Sequence, residues 1–254
     1  MNNRVRTTAA LMSYPRARRL YLEQHRRLDA RSVWAASLGP LAQPTIEHVV
    51  PRSVLGRHGH TRAVGDLHNF VLYPMRLNSV RGPSRLAEDS VVFDLAAASS
   101  LRNVLRMYDT QGHALLPPWT PEVLAGQVDA MRAGNLFAPP RRLRGRIARA
   151  VAYMTYEYGI PLAAASNVLD VATLLAWHLR YPVTPTEEAL ERWAASVQGT
   201  TNVFVRHPEL LARTLTMQGD RACAVHEARA PGTAESSTDL AQAPVIVIDL
   251  TGDD

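Results

Sequence analysis

The chain has no lysine: all 28 of its basic residues are arginine. A genome rich in G and C favours arginine and alanine codons and accounts for most of that bias. A chain without lysine also offers no side-chain amine to ubiquitin or a related modifier. Cysteine is nearly absent too. Cys223 stands alone, so no intrachain disulfide can form, and a reducing intracellular compartment is expected. No stretch approaches the roughly 18 uncharged apolar residues of a membrane span; even Gly159 to Leu179 carries Asp170 and His178. The opening MNNRVRTTAALMSYPRARR has no apolar run of signal-peptide type. A secreted disulfide scaffold and a membrane protein are therefore both disfavoured. With 254 residues, 46% hydrophobic and 20% charged, the material suffices for one large soluble domain with appendages.

Charge is informative once divided. From Thr216 to Asp254 seven acidic residues face two arginines, a net of −5, while the whole chain is +5, so residues 1–215 carry +10. A basic body with an acidic tail is the electrostatic outline of a nucleic-acid binder that has a separate interaction tail.

Along the chain, residues 14–37 read as an arginine-rich helix with Leu20, Tyr21, His25, Leu28 and Val33 as an apolar stripe. Apolar runs at Ile46 to Val50 and Phe70 to Tyr73 flank a loop rich in Gly, Arg and His, and Met75 to Arg81 follows as a short helix. Within residues 83–135, Val91-Val92-Phe93 resembles a strand. From Arg141 helical spacing is clear, and Asn167 to Leu179, Thr186 to Val197 and Pro208 to Leu215 read as three more helices. Beyond Gln218 periodicity is lost. The expected organisation is a helical N-terminal extension (1–40), a main domain (41–215) and an acidic tail (216–254). The fold class is α+β, with two strands and a short helix embedded in a mainly helical domain.

Chemistry concentrates in residues 45–82: TIEHVVPRS, then GDLHNFVLYPMRLNSVRG. Strand, loop, strand, helix with a histidine on the first strand is the outline of a ββα-metal site. Phosphodiester cleavage needs a base to deprotonate water, a cation for the leaving oxygen, and positive donors on the phosphate. His48, a metal on Glu47 and Asn78, and Arg81 supply one of each. Asn78 and Arg81 are three apart and share a helix face. Adjacent residues of a regular strand point to opposite faces, so Glu47 and His48 can share a site only where the strand ends or bulges; Pro51 favours an early end. His58 and His60 form an H-x-H without further ligands, which reads as a solvated loop.

The stretch EHVVP, then D-L-H-N, then L-N-S-x-R-G resembles the bacterial endonuclease I family of ββα-metal (His-Me finger) nucleases. APPRRLRGRIARAVAYM at 138–154 and WHLRYPVTPTEEALERWAASVQGTTNVFVRHPEL at 177–210 extend the resemblance over about residues 41–213. It implies a non-sequence-specific nuclease of DNA, with RNA as a further substrate. The implied cofactor is one divalent ion per chain, Mg²⁺ or a substitute such as Mn²⁺, and the implied products carry 5′-phosphate ends. In the implied roles His48 is the general base, Glu47 and Asn78 hold the metal, and Arg81 faces phosphate. His68 and Asn69 support the two strands. Arg57, Arg62, Arg144 and Arg149 are candidate contacts to the nucleic-acid backbone. The short first loop offers only Arg57 and Arg62 where relatives often carry a phosphate-facing arginine. The alternative is a catalytically inactive nucleic-acid-binding adaptor that keeps the fold.

The last ten residues, VIVIDLTGDD, join four β-branched residues to Asp249 and a terminal Asp pair. Val245, Ile246, Val247, Ile248, Asp249 and Leu250 resemble a SUMO-interacting motif, an aliphatic strand that adds to the edge of a sheet while its acids meet a basic rim. SUMO, or SUMO-modified host proteins, is the partner this implies, and with it the nucleus of a eukaryotic cell. A gene of a large DNA virus would reconcile such a tail with a bacterial-type nuclease. A peptide of residues 240–254 is expected to bind SUMO in a calorimetric titration, and to lose binding when Ile246 and Ile248 become alanine; no heat from the native peptide removes this partner.

Overall fold

The computed structural model describes residues 11–29, 44–98, 105–117, 120, 126–161, 164, 165 and 167–214. The acidic tail, the SUMO-like segment and residues 30–37 of the expected first helix lie outside these residues. Helix α1 spans Tyr14–Asp29 and strand β1 Pro44–His48, followed by helix α2 (Arg52–Arg57) and two short 3-10 turns at Thr61–Gly65 and Leu67–Asn69. Next come β2 (Phe70–Pro74), α3 (Met75–Arg81), β3 (Arg85–Leu86), α4 (Asp89–Ala98), β4 (Arg106–Tyr108), β5 (Ala114–Leu115), β6 (Ala130–Ala133) and β7 (Leu136–Ala138). Helices α5 (Arg141–Tyr158), α6 (Val171–Arg180), α7 (Pro185–Gln198) and α8 (Val203–Arg206) follow, and residues 209–214 are helical as well. The fold is α+β. Among the described residues no helix is long and apolar enough to cross a membrane.

The two sheets are separate. Strands β1 and β2 pair antiparallel from Pro44 opposite Pro74 to His48 opposite Phe70, and α3 leaves directly from the end of β2. The second sheet runs β3-β7-β6-β4-β5, parallel only between β3 and β7. Helix α4 covers it with Val92 and Ala96, four residues apart, packed with Met107, Met131 and Ala133. The expected strand at Val91 to Phe93 is thus a correction: these residues lie in α4. Only Val92 of the three is buried, whereas Val91 and Phe93 are exposed. Tertiary packing at i, i+4 outweighs the β preference of three such side chains, and Asp89 in the first turn favours the helix start.

Helix α1 buries Ala17, Tyr21 and His25, one turn apart, beside Ile46, Leu67 and Phe70 of the ββα region. Tyr21 Oη donates to Phe70 O at 2.6 Å, so the helix is tied to the start of β2. Gly65 permits the close approach: a Cβ there would lie 2.1 Å from Met12 O.

Helix α5 starts after Pro140 and ends at Gly159 in the left-handed conformation. It is buried along much of its length, and three of its five arginines are internal clamps. Arg144 donates to Glu88 at 2.7 Å, to Asp89 and to Pro139 O, with its guanidinium 5.2 Å from the centre of the Trp177 ring. Arg146 donates to Tyr21 Oη and to Phe70 O. Arg149 makes a two-point pair with Glu187 at 2.7 and 2.5 Å and also donates to Tyr181 O at 3.0 Å. Helix α7 is opened by Thr184 and Pro185, with Glu187 and Glu188 in its first turn.

Gly145 sets how closely the end of α6 approaches α5. A Cβ at this position would stand 2.2 Å from Tyr181 O, the same carbonyl that Arg149 binds one turn later. At an open helix site Gly→Ala stabilises by about 1 kcal/mol. Here the backbone carbonyl must move, and overpacking of this kind costs about 1–3 kcal/mol. Gly145→Ala is therefore expected to lower the urea midpoint with an unchanged m-value; a raised midpoint would contradict the packing.

Candidate active site

The end of β1 organises this region. Asn69 Nδ2 donates to Val50 O at 3.0 Å and Val50 N donates to Asn69 Oδ1 at 2.8 Å, while Val49 N donates to Asn69 O. The ladder therefore stops at His48, and Pro51 opens α2 immediately afterwards. His68 Nε2 meets Thr200 O at 2.9 Å, fixing the same turn to the residues beyond α7. Both residues act as supports for the strands.

His48 is 8% exposed and lies between three neighbours. Its ring centre is 5.0 Å from that of Phe70, edge to face, and 5.1 Å from that of Tyr14 in α1. Its Nε2 lies 3.0 Å from Val64 O. A carbonyl can only accept, so in the neutral ring Nε2 carries the proton and Nδ1 keeps the lone pair. Burial pushes the His48 pKa below its ordinary value; the Val64 carbonyl acts in the opposite direction and the nearby Arg52 charge adds to the lowering.

Glu47 and Asn78 lie toward α3. Asn78 Nδ2 donates to Thr45 Oγ1 at 3.0 Å and to Ile46 O at 2.9 Å, both in β1, which leaves Asn78 Oδ1 as the atom of that amide that could face an ion. The Glu47 carboxylate contacts Arg81 through one oxygen. Two hard oxygen donors suit a divalent ion that retains most of its water, as Mg²⁺ does. Among the described residues no group of three His, Cys, Asp or Glu side chains forms a metal cage.

Arg81 is placed differently from its expected role at phosphate. It is 2% exposed, and its guanidinium donates to His48 O and Val49 O at 3.0 Å each besides pairing with Glu47. Burial lowers its pKa to about 10. Its two terminal nitrogens are engaged in closing the end of β1, so it is a clamp, not a surface cation. Arg144 and Arg149, expected along a phosphate backbone, are likewise corrected: each is 1% exposed and neutralised by Glu88 and Asp89 or by Glu187. Arg57 and Arg62 do remain at the surface, Arg57 with Nε 3.3 Å from Ser53 O in its own helix.

Four residues outside the expected catalytic set shape the site. Tyr14 and Val64 touch His48, and Arg52 sits 5.3 Å from the centre of the Tyr14 ring. Asp66 is fully buried and accepts from His68 N, Gln198 Nε2, Tyr153 Oη and Tyr158 Oη at 2.6–3.0 Å. Arg52 follows EHVVP directly and could be found from that position. Nothing local to Tyr14 marks a contact that bridges 34 positions of chain.

Residues 120–209 match the family model of Endonuclease I. Two curated relatives, both extracellular deoxyribonucleases of Aeromonas hydrophila, are 40% and 41% identical over 68 residues, which is 26% of this chain and 28% of each relative. The chain thus matches under a third of the length of these relatives. The family match contains α5, its arginine clamps and Gln198, and lies wholly after Glu47, His48 and Asn78.

The lowered His48 pKa has a direct readout. In a histidine-resolved NMR titration, the His48 midpoint is expected below the ~6.5 of a free imidazole. His25 and His178 are lowered by burial as well, His25 to about 3. The unfolded chain then binds more protons than the native one once pH falls below ~6.5, so stability is full above that pH and declines toward acid. A His48 midpoint above 6.5 would contradict the buried, neutral ring.

Proposed function

We propose that this chain, which over residues 120–209 matches the endonuclease I family model, is a divalent-ion-assisted endonuclease that hydrolyses DNA phosphodiesters with little sequence preference, and RNA by the same chemistry. The observation that carries the reading is the Nε2 contact of His48 with Val64 O, which reserves Nδ1 as a base. The family match supports the reaction class, and the Aeromonas relatives, as deoxyribonucleases, support DNA as substrate.

In this mechanism His48 Nδ1 takes a proton from water as the oxygen attacks phosphorus in line, and the 3′-oxygen departs to leave a 5′-phosphate. Val64 O then stabilises the imidazolium through the Nε2 proton. Phe70 and Tyr14 keep the ring from rotating and limit water around it. A Mg²⁺ or Mn²⁺ ion on Glu47 and Asn78 would supply positive charge for the departing oxygen. Arg81 holds the backbone on which Glu47 and His48 stand.

One observation favours a second reading. Glu47 is engaged by a buried arginine, which would compete with a metal and suits a catalytically inactive nucleic-acid-binding adaptor. In either reading the VIVIDLTGDD tail supports SUMO as a partner and a nuclear setting. Plasmid cleavage separates the two readings. Wild-type protein with Mg²⁺ is expected to lose supercoiled plasmid, EDTA to stop it, and His48→Ala to slow it by about 10²–10⁴-fold, the usual contribution of a general base. Folded wild-type protein that binds DNA but leaves plasmid intact with every divalent ion would establish the adaptor.

A further inference from the structure

Six arginines around the ββα region are already committed. Arg81 binds Glu47 and two carbonyls, Arg144 and Arg149 are buried with carboxylates, Arg146 binds Tyr21 and Phe70 O, Arg141 binds Asp89, and Arg142 binds Asp129. A histidine base alone does not hold a phosphodiester. A cation must present donors to the phosphate beside it.

We infer that Arg52, carried on the ring of Tyr14, is the guanidinium that receives the substrate phosphate next to His48, so that α1 is part of the active site through Tyr14. This rests on the nuclease reading above. The geometry is a relay of three planar groups: the Arg52 guanidinium carbon is 5.3 Å from the Tyr14 ring centre, and that ring centre is 5.1 Å from the His48 ring centre. Arg52 is exposed at the first position of α2, four residues beyond His48.

Stacking explains how an exposed arginine can serve. A guanidinium over an aromatic face gains cation–π attraction while its N–H edge stays open to a ligand, so less side-chain freedom remains to be lost when phosphate arrives. That edge can meet two phosphate oxygens at once, which a lysine ammonium cannot. Arg57 and Arg62 are exposed too, but among the described residues neither guanidinium lies over an aromatic ring. The ligand class is a phosphodiester with at least one non-bridging oxygen pair open to solvent, as in either a duplex or a single strand.

Arg52→Gln, Arg52→Lys and Tyr14→Leu, compared with wild type, test this by two independent measurements. The first is binding of a fluorescent duplex in EDTA across a salt series. Loss of one phosphate contact lowers the slope of log affinity against log salt by about 0.9. Arg52→Gln is expected to show that drop, and Arg52→Lys to recover slope without full affinity. Tyr14→Leu should weaken binding at every salt. The second is steady-state plasmid cleavage, where Arg52→Gln is expected to lose at least about tenfold in kcat/KM with an unchanged thermal midpoint. An unaltered slope together with kcat/KM within twofold overturns the assignment. Wild-type protein that binds but does not cleave ends the nuclease reading while the slope still decides Arg52, and absence of any binding removes both. Arg52→Lys keeps the charge on an exposed site, so the comparison holds even if the glutamine variant is poorly folded.

Discussion

Asp66 is the interaction on which the site depends. It is fully buried, and a bare carboxylate in that position would be severely destabilising. Four donors compensate it: the backbone N–H two residues ahead, the Gln198 amide, and the hydroxyls of Tyr153 and Tyr158. Each donor comes with a piece of the fold. Gln198 also accepts from Leu67 N and donates to Thr200, and Tyr153 binds Thr200 as well. The short 3-10 turns on either side of Asp66 make few regular backbone bonds of their own, so their position is set by this network. Val64 O, the acceptor for His48, stands two residues before the hub, and Asn69, which ends β1, stands three after it. The tautomer of His48 and the end of the strand that carries it follow from one buried carboxylate.

The same economy governs the arginines of α5. A helix with Arg141, Arg142, Arg144, Arg146 and Arg149 in nine positions suggests a surface for phosphate, and the +10 charge of residues 1–215 encourages that view. Three of these five instead reach inward. Arg144 joins α5 to α4 and to Trp177, Arg146 joins it to α1 and β2, and Arg149 joins it to α6 and α7. Guanidinium suits such work because its planar fork can satisfy carboxylates and carbonyls together. Removing one partner of such a buried pair typically costs about 3–5 kcal/mol, because it leaves the other charge without compensation. Net charge is therefore a poor guide here to where the surface is positive.

Local pattern carried the elements and the motif-bearing residues. The β1-β2-α3 order, the caps of α6 and α7 and the strand end near Pro51 are all written in neighbouring residues: Asp170, Thr184-Pro185, Pro51. What was not legible depends on distant pairing. Val91 to Phe93 lie in a helix because Met107 and Met131 pack on Val92 and Ala96. Arg144 and Arg149 are buried because Glu88, Asp89 and Glu187 come from elements 38 or more positions away. A sequence shows the charge of an arginine but not the carboxylate that will meet it. Tyr14 beside His48 is the same case, since no periodicity joins an aromatic on the first helix to a histidine ending the first strand.

The end of β1 resolves a geometric conflict. Within a regular strand Glu47 and His48 project to opposite faces, and here their neighbours do differ: Glu47 meets α3, while His48 meets α1 and the 61–65 turn. In the proposed nuclease, chemistry at one phosphate needs both sides to be reached from a single point, and a continuing ladder would wall one side off. Ending the ladder at His48 removes that wall, but it strands the carbonyls of His48 and Val49, which would otherwise be unpaired and buried. Arg81 satisfies both, and its charge is balanced by Glu47 on the same strand. Its burial is thus the consequence of terminating a strand between two functional neighbours. That is why the cation for substrate has to come from elsewhere, and why the exposed arginine just past the strand end is placed to supply it.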